Sequence, residues 1–196
     1  GYVDIRSIFT GLRPLAIGQG PNKATKEISR HHKILVSVSG LITISGGKWT
    51  TYRKMAEDAV DHAAAVGGLD PASCITEHLL LHGYRTDMDH SDPLSVYGRD
   101  RERMLAIASE DKAYDGPLSE SLKITRAQVV WAVREEMAVT IEDVLARRTR
   151  ALFLDARESL AIARETASLM ARELKMNKQW IRNQSNMYHT LALAYL

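Results

Sequence analysis

Ser45-Gly46-Gly47-Lys48-Trp49-Thr50-Thr51-Tyr52-Arg53-Lys54 follows an apolar run, Leu41-Ile42-Thr43-Ile44, and precedes an amphipathic one, Met55-Ala56-Glu57-Asp58-Ala59-Val60. This order reads as strand, glycine turn, helix. A helix start carries unpaired N–H groups and the positive end of the macrodipole, so it suits an anionic or carbonyl-bearing ligand. Paired glycines leave the backbone bare for such a ligand. The spacing is not that of a P-loop, because Ile42 stands where the first glycine is needed and Trp49 where Ser or Thr is needed. It is not a dinucleotide fingerprint either. The G-x-G at Gly18-Gln19-Gly20 has Lys23 in place of the third glycine, and no apolar strand leads into it. On spacing alone a purely structural strand-to-helix turn stays open.

Outward from the turn, Ile34-Leu35-Val36-Ser37-Val38 and Leu41-Ile42-Thr43-Ile44 are β-rich runs, and Ser39-Gly40 between them favours a two-residue hairpin. The following helix is expected to bury Met55, Ala59, Val60 and Ala63 and to stop at Gly67-Gly68. Residues 13–33, with Pro14, Gly18, Gly20 and Pro21, read as a long functional or mobile loop. Residues 67–93 read as a connector holding a short strand at His78–His82.

From Leu94 the period is helical. One helix is expected over about Ser95–Ser109. A second starts near Thr125 and buries Val130, Val133, Met137, Ile141, Val144 and Leu145, with a break and a fresh cap near Thr140. A third starts at Asp155, with Glu158 at the capping-box position and a seam of Leu160, Ala163, Ala167, Met170 and Leu174. A fourth starts near Asn177 and carries Trp180, Ile181, Met187, Tyr188 and Leu191. The expected class is α+β, with a small mixed piece over 1–66, the connector, and an all-helical region over 94–196.

The 196 residues are 45% hydrophobic and carry a net charge of +2. That balance suits a globular core and argues against a protein that coats nucleic acid. The single cysteine, Cys74, cannot form an internal disulfide and points to a reducing, cytoplasmic setting. No apolar run approaches the roughly 20 residues needed to span a bilayer. His78 and His82 lie four residues apart, but no third ligand has metal-site spacing, so no metal is expected. Arg147-Arg148-Thr149-Arg150 reads first as a helix end whose cations pair with Glu142 or Asp143.

A wider set of motifs gives a family resemblance. Gly11-Leu12-Arg13-Pro14-Leu15, Ser29-Arg30-His31-His32, the glycine turn through Arg53, Trp131-Ala132-Val133-Arg134-Glu135-Glu136-Met137-Ala138 and Arg147-Arg148-Thr149-Arg150 occur in that order. The set resembles the C-terminal part of FAD-dependent glycerol-3-phosphate dehydrogenases, from Ile5 to the end of the chain.

The resemblance implies that 1–66 is the last piece of a FAD and substrate domain and that 94–196 is a helical accessory domain. It implies oxidation of sn-glycerol 3-phosphate to dihydroxyacetone phosphate by hydride transfer to FAD, with electrons passed to a quinone at the inner face of the cell membrane. By residue type alone Arg13 and Arg30 read as surface cations. The resemblance makes them the grip on the substrate phosphate, and gives Arg13 a catalytic role in polarising the reacting hydroxyl. An acidic residue commonly follows the second arginine in that family, and here it is His31. Lys48 is electrostatically misplaced at a helix start, which suggests an electron-rich neighbour. The resemblance supplies the flavin's pyrimidine edge, with Lys48 catalytic and substrate-binding and Gly46, Gly47, Thr50 and Thr51 as cofactor contacts.

The family's glycine-rich nucleotide segment is not in this stretch, so the chain is expected to be part of a longer protein and to hold no flavin and turn over no substrate alone. The rival readings are an oxidase that passes electrons to oxygen and a non-catalytic helical interaction module.

Overall fold

A computed structural model describes residues 4–12 and 31–196. Most of the loop expected over 13–33, with Arg13 and Arg30, lies outside the described residues. The fold is α+β: helices dominate, beside two small two-stranded antiparallel sheets. The chain divides into two compact units, Gly1–Thr10 with His82–Leu196, and Gly11–Leu81. Among the described residues no helix is long and apolar enough to cross a membrane.

In the smaller unit, β1 (His32–Val36) pairs with β2 (Ile42–Gly46), with Val36 opposite Ile42 and His32 opposite Gly46. The hairpin loop is longer than the two residues expected. Gly40 N donates to Ser37 O at 3.0 Å and Ser37 N to Leu41 O at 2.9 Å, while Gly40 sits at φ +82°. That is a tight turn followed by a left-handed glycine, the three-residue solution for a hairpin.

A short 3₁₀ turn at Trp49–Thr51 leads into α1 (Tyr52–Gly67), which ends at Gly68 in the left-handed conformation. Helix α1 buries no residue completely. Met55 and Ala59 are half-covered, but Ala63 is exposed and Val60 is 65% exposed, against expectation. A single helix over a single hairpin can cover only one stripe of its surface. The expected strand at His78–His82 is absent, and Thr76–His78 forms one 3₁₀ turn instead.

The larger unit holds the core. A 3₁₀ segment over Pro93–Asp100, capped by Asp92, precedes α2 (Arg101–Glu110). The helix expected to run unbroken from Ser95 is interrupted at Gly98, which lies at φ +52° and ψ −123°. A Cβ there would stand 1.8 Å from the Gly83 carbonyl oxygen, so the two backbones cross where only glycine fits. The hairpin β3 (Pro117–Ser119) and β4 (Ile124–Thr125) leads into α3 (Arg126–Glu135).

A π-helical turn over Asp143–Arg148 and α4 (Ala151–Leu154) follow, then α5 (Ala156–Glu173) and α6 (Lys178–Leu193). The caps are those the sequence announces. Thr125, Asp155 and Asn177 accept from the backbone N–H of Gln128, Glu158 and Trp180, and Thr140 Oγ1 accepts from Asp143 N.

Met104, Val129, Val130, Ile141, Leu145, Leu152 and Met170 are fully buried, and Ala163, Ala167 and Ala192 lie in the same core. Met137 does not join it. Helix α3 ends at Glu135, Met137 takes φ +56°, and its side chain is 85% exposed. Met187 is likewise exposed, while its neighbour Tyr188 is buried.

Residues 4–10, assigned by sequence to the first piece, pack with this unit instead. Ala156 N donates to Arg6 O at 2.9 Å, Ile8 N to Tyr195 O at 2.8 Å, and the Phe9 and Phe153 rings meet edge to face at 4.8 Å. The chain therefore leaves and re-enters the helical unit, which no local pattern announces.

Charge clamps tie the helices. Arg134 bonds Glu173 (2.6 Å) and Glu110 (2.7 Å), and the Tyr114 hydroxyl donates to Glu173 at 2.5 Å. Burial alone would push the Glu173 carboxyl up, but Arg134 and Tyr114 outweigh it and hold the group below its ordinary 4.5. A carboxylate held below its unfolded value stabilises the fold above that value and stops doing so as pH falls through the folded one. We expect urea midpoints to fall as pH drops below about 4.5, with a shallower fall for Glu173→Gln. That variant should itself cost about 2 kcal/mol at pH 7. An identical pH slope in the two proteins would show that this clamp does not set acid stability.

Candidate functional site

The glycine turn is built by backbone handedness. Gly46, the last residue of β2, lies at φ +78° and Gly47 at φ +88°, a region that strains any residue with a Cβ. A Cβ on Gly47 would also stand 2.5 Å from Met55 Sδ and 3.2 Å from His32 Cβ. The chain's own packing therefore requires Gly47, whatever else it admits. Lys48 follows in extended conformation, and the chain then enters the 3₁₀ turn and α1.

Five of the predicted site residues, Gly46, Gly47, Lys48, Thr50 and Thr51, thus share one turn, and all but half-buried Gly47 are exposed. The Thr51 hydroxyl donates to Lys48 O at 2.9 Å, so its proton is used in holding the turn and its remaining capacity is as an acceptor. Lys48 carries no ion pair among the described residues, whereas Arg53 and Lys54 are paired with Glu57 at 2.6 and 2.7 Å. Trp49, 86% exposed, stacks on Tyr52 with ring centroids 5.7 Å apart. Arg13 and Arg30 lie outside the described residues.

The structure adds a support that spacing could not show. His32 Nε2 and Asp58 Oδ2 are 2.9 Å apart, which ties the first residue of β1 to the second turn of α1. Bonds from Lys54 and then His32 hold the Asp58 carboxyl below its usual range, against its partial burial. Arg53 reaches Thr76 Oγ1 at 3.3 Å and Cys74 Sγ at 3.7 Å, pinning the segment after α1. His32 was legible only as a loop histidine, because its partner lies 26 residues away.

The other candidates resolve as structural. Arg147 pairs with Asp143 at 2.9 Å and Glu142 at 2.5 Å, as expected for a helix end. Arg148 bonds the Glu136 carbonyl. His82 bonds Asp100 at 2.5 Å. Among the described residues, Glu57, Asp58 and Asp61 alone form a compact acidic trio, and the first two are already engaged by cations.

As a chemical surface, the turn offers N–H groups at a helix entry, one unpaired ammonium and a stacked indole. This set suits an anionic or electron-rich ligand edge. It cannot enclose such a ligand by itself.

Residues 38–181 match the family model described as the C-terminal domain of alpha-glycerophosphate oxidase. The chain belongs to this family. It is similar to a Mesocricetus auratus protein named glycerol-3-phosphate dehydrogenase, mitochondrial, at 36% identity over 94% of this chain and 28% of that protein. A Caenorhabditis elegans protein named probable glycerol-3-phosphate dehydrogenase, mitochondrial, is 37% identical over 87% of this chain and 26% of its own length. A Mycobacterium leprae glycerol-3-phosphate dehydrogenase is 33% identical over 87% and 32%. The chain thus spans about a quarter to a third of these relatives. The span shared with the alpha-glycerophosphate oxidase C-terminal domain takes in the glycine turn and helices α1 to α5, and begins after Arg13 and Arg30.

Gly47→Ala is expected to strain the turn by about 1–3 kcal/mol and to lower amide-exchange protection at the start of α1. Adding Met55→Ala should restore part of that protection by removing the steric contact while leaving the positive φ. Protection equal to wild type in the single variant would show that the turn does not depend on Gly47.

Proposed function

We propose that this chain is the C-terminal part of an FAD-dependent enzyme that oxidises sn-glycerol 3-phosphate to dihydroxyacetone phosphate. The observation that carries the reading is the exposed Lys48, unpaired among the described residues, on a left-handed glycine turn inside the span matched by the family. The names of the relatives support the substrate and the reaction. Bound FAD would supply the hydride acceptor for C2 of the substrate and pass the electron pair on to a quinone.

The chain's own residues have the following parts. Lys48 places positive charge where the flavin's pyrimidine edge would gather negative charge, which favours transfer. The turn around Gly46, Gly47, Thr50 and Thr51 presents backbone and hydroxyl groups to the same edge. Arg13 and Arg30 grip the substrate phosphate with their planar donor forks, a geometry suited to phosphate oxygens. Arg13 also polarises the reacting hydroxyl, whose proton passes to water as C2 gives up its hydride.

In this reading the segment around the hairpin and α1 is the last piece of the FAD and substrate domain. The exposure of Leu35, Val38, Leu41, Trp49 and Val60 in that unit supports its being one part of a larger body. The helical region is an accessory domain, and the whole enzyme works at the cytoplasmic face of a membrane that supplies the quinone. The chain alone holds no flavin and turns over no substrate. Oxygen as acceptor is the second reading, favoured by the family's description as an oxidase.

The test uses the full-length flavoprotein that contains this segment, without oxygen. Added sn-glycerol 3-phosphate should bleach the oxidised-flavin absorbance, and Lys48→Ala or Arg13→Ala should slow the bleaching by roughly a hundredfold or more. Bleaching at the wild-type rate in both variants would refute the site assignment, and an unchanged spectrum in the wild type would refute the substrate.

A further inference from the structure

Helices α5 and α6 run as a pair joined by residues 174–177, and along one side of their seam lies an open groove of about 570 Å³. That volume is within the range of small-ligand sites. Its charged lining is Arg164 from α5 and Lys178 and Arg182 from α6, with no Asp or Glu.

These cations differ from most arginines of the helical unit. Arg101, Arg103, Arg126, Arg134, Arg147 and Arg172 each meet a carboxylate. Among the described residues, Arg164, Lys178 and Arg182 meet none. Arg182 gives one bond, to Gln179 Oε1 at 2.7 Å. Lys178 is the first residue of α6, whose first turn holds no acidic residue, so its charge adds to the positive end of the helix rather than offsetting it. Uncompensated cations of one sign around a concave surface raise the local potential, and a bound anion lowers it.

We propose that this groove binds a phosphate-bearing anion. The two guanidinium groups offer forked donors that match phosphate oxygens, and Lys178 offers a third cation. At the start of α6, Trp180 N is taken by the Asn177 side chain and Ile181 N by the Asn177 carbonyl, which leaves the Lys178 and Gln179 N–H groups as further donors. Asn186 adds an amide and Ile181 an apolar floor. The hydroxyls of Ser168 and Ser185 donate to the Arg164 and Ile181 carbonyls of their own helices, so the cations carry the recognition. The same chemistry is found on free phosphate compounds and on anionic phospholipid headgroups. The proposal rests on residues that take no part in the reading of the glycine turn.

The test titrates the isotopically labelled chain with inorganic phosphate against sodium chloride of equal ionic strength. In parallel, the chain is floated with vesicles of phosphatidylcholine alone or with phosphatidylglycerol added. The comparison variants are Arg164→Gln/Lys178→Gln/Arg182→Gln, whose side chains are exposed, and Arg147→Gln, whose guanidinium is already paired. We expect saturable, phosphate-specific shifts confined to amides near 164–168 and 178–186. They should weaken roughly tenfold or more in the triple variant and stay unchanged in Arg147→Gln. Capture by phosphatidylglycerol vesicles that is lost in the triple variant would assign the headgroup, and saturation by phosphate without vesicle capture would assign a free phosphate compound. No saturable response in either arm, or equal responses in the wild type and the triple variant, would overturn the proposal.

Discussion

The left-handed backbone at Gly46 and Gly47 is the constraint on which the candidate site depends. Two consecutive residues at positive φ turn the end of β2 so that Lys48 emerges extended and α1 begins four residues later. The turn brings Met55 under Gly47, and a Cβ at that point would displace it. Backbone handedness, hairpin register and the start of α1 are therefore one coupled decision. The His32–Asp58 pair closes the coupling from the other side, since His32 faces Gly46 across the hairpin and Asp58 sits on α1. What the turn leaves exposed is a lysine that has no counter-ion among the described residues and N–H groups without intrahelical partners, the combination that favours developing negative charge.

The helical unit is held in another way. Its core is largely small and aliphatic, so helices approach closely, and its rim is fixed by charge clamps such as Arg134 on Glu173 and Glu110. Most arginines of this unit meet a carboxylate, and among the described residues the three cations of the α5–α6 groove do not. Both units thus present positive charge at defined places against a chain-wide balance of +2.

What could be read from the sequence was mostly local. Caps at Thr125, Asp155 and Asn177 were legible because a cap is a contact over three residues. The α5 seam was legible because Ala163, Ala167 and Met170 recur at helical period. The failures have physical causes of two kinds. Met137, Arg150 and Lys175 adopt positive φ without being glycine, so α3 ends and Met137 turns outward with no residue type to signal it. The crossing of Gly83 and Gly98, the return of residues 4–10 to the helical unit and the His32–Asp58 pair join positions far apart in the chain. The glycine turn itself was legible as a candidate because its parts are contiguous. Spacing could not show that Gly47 is also demanded by Met55, because that contact depends on how α1 packs against the turn.

The central claim is that Lys48 stabilises charge on a flavin edge. It is tested most directly by the two-electron midpoint potential of the bound flavin in the full-length protein, compared with Lys48→Met at matched flavin content. The account predicts that the variant's potential falls by roughly 30 mV or more, the equivalent of about 1.4 kcal/mol of lost stabilisation of the reduced form. A potential equal to wild type, in a variant that still binds its flavin, would contradict it.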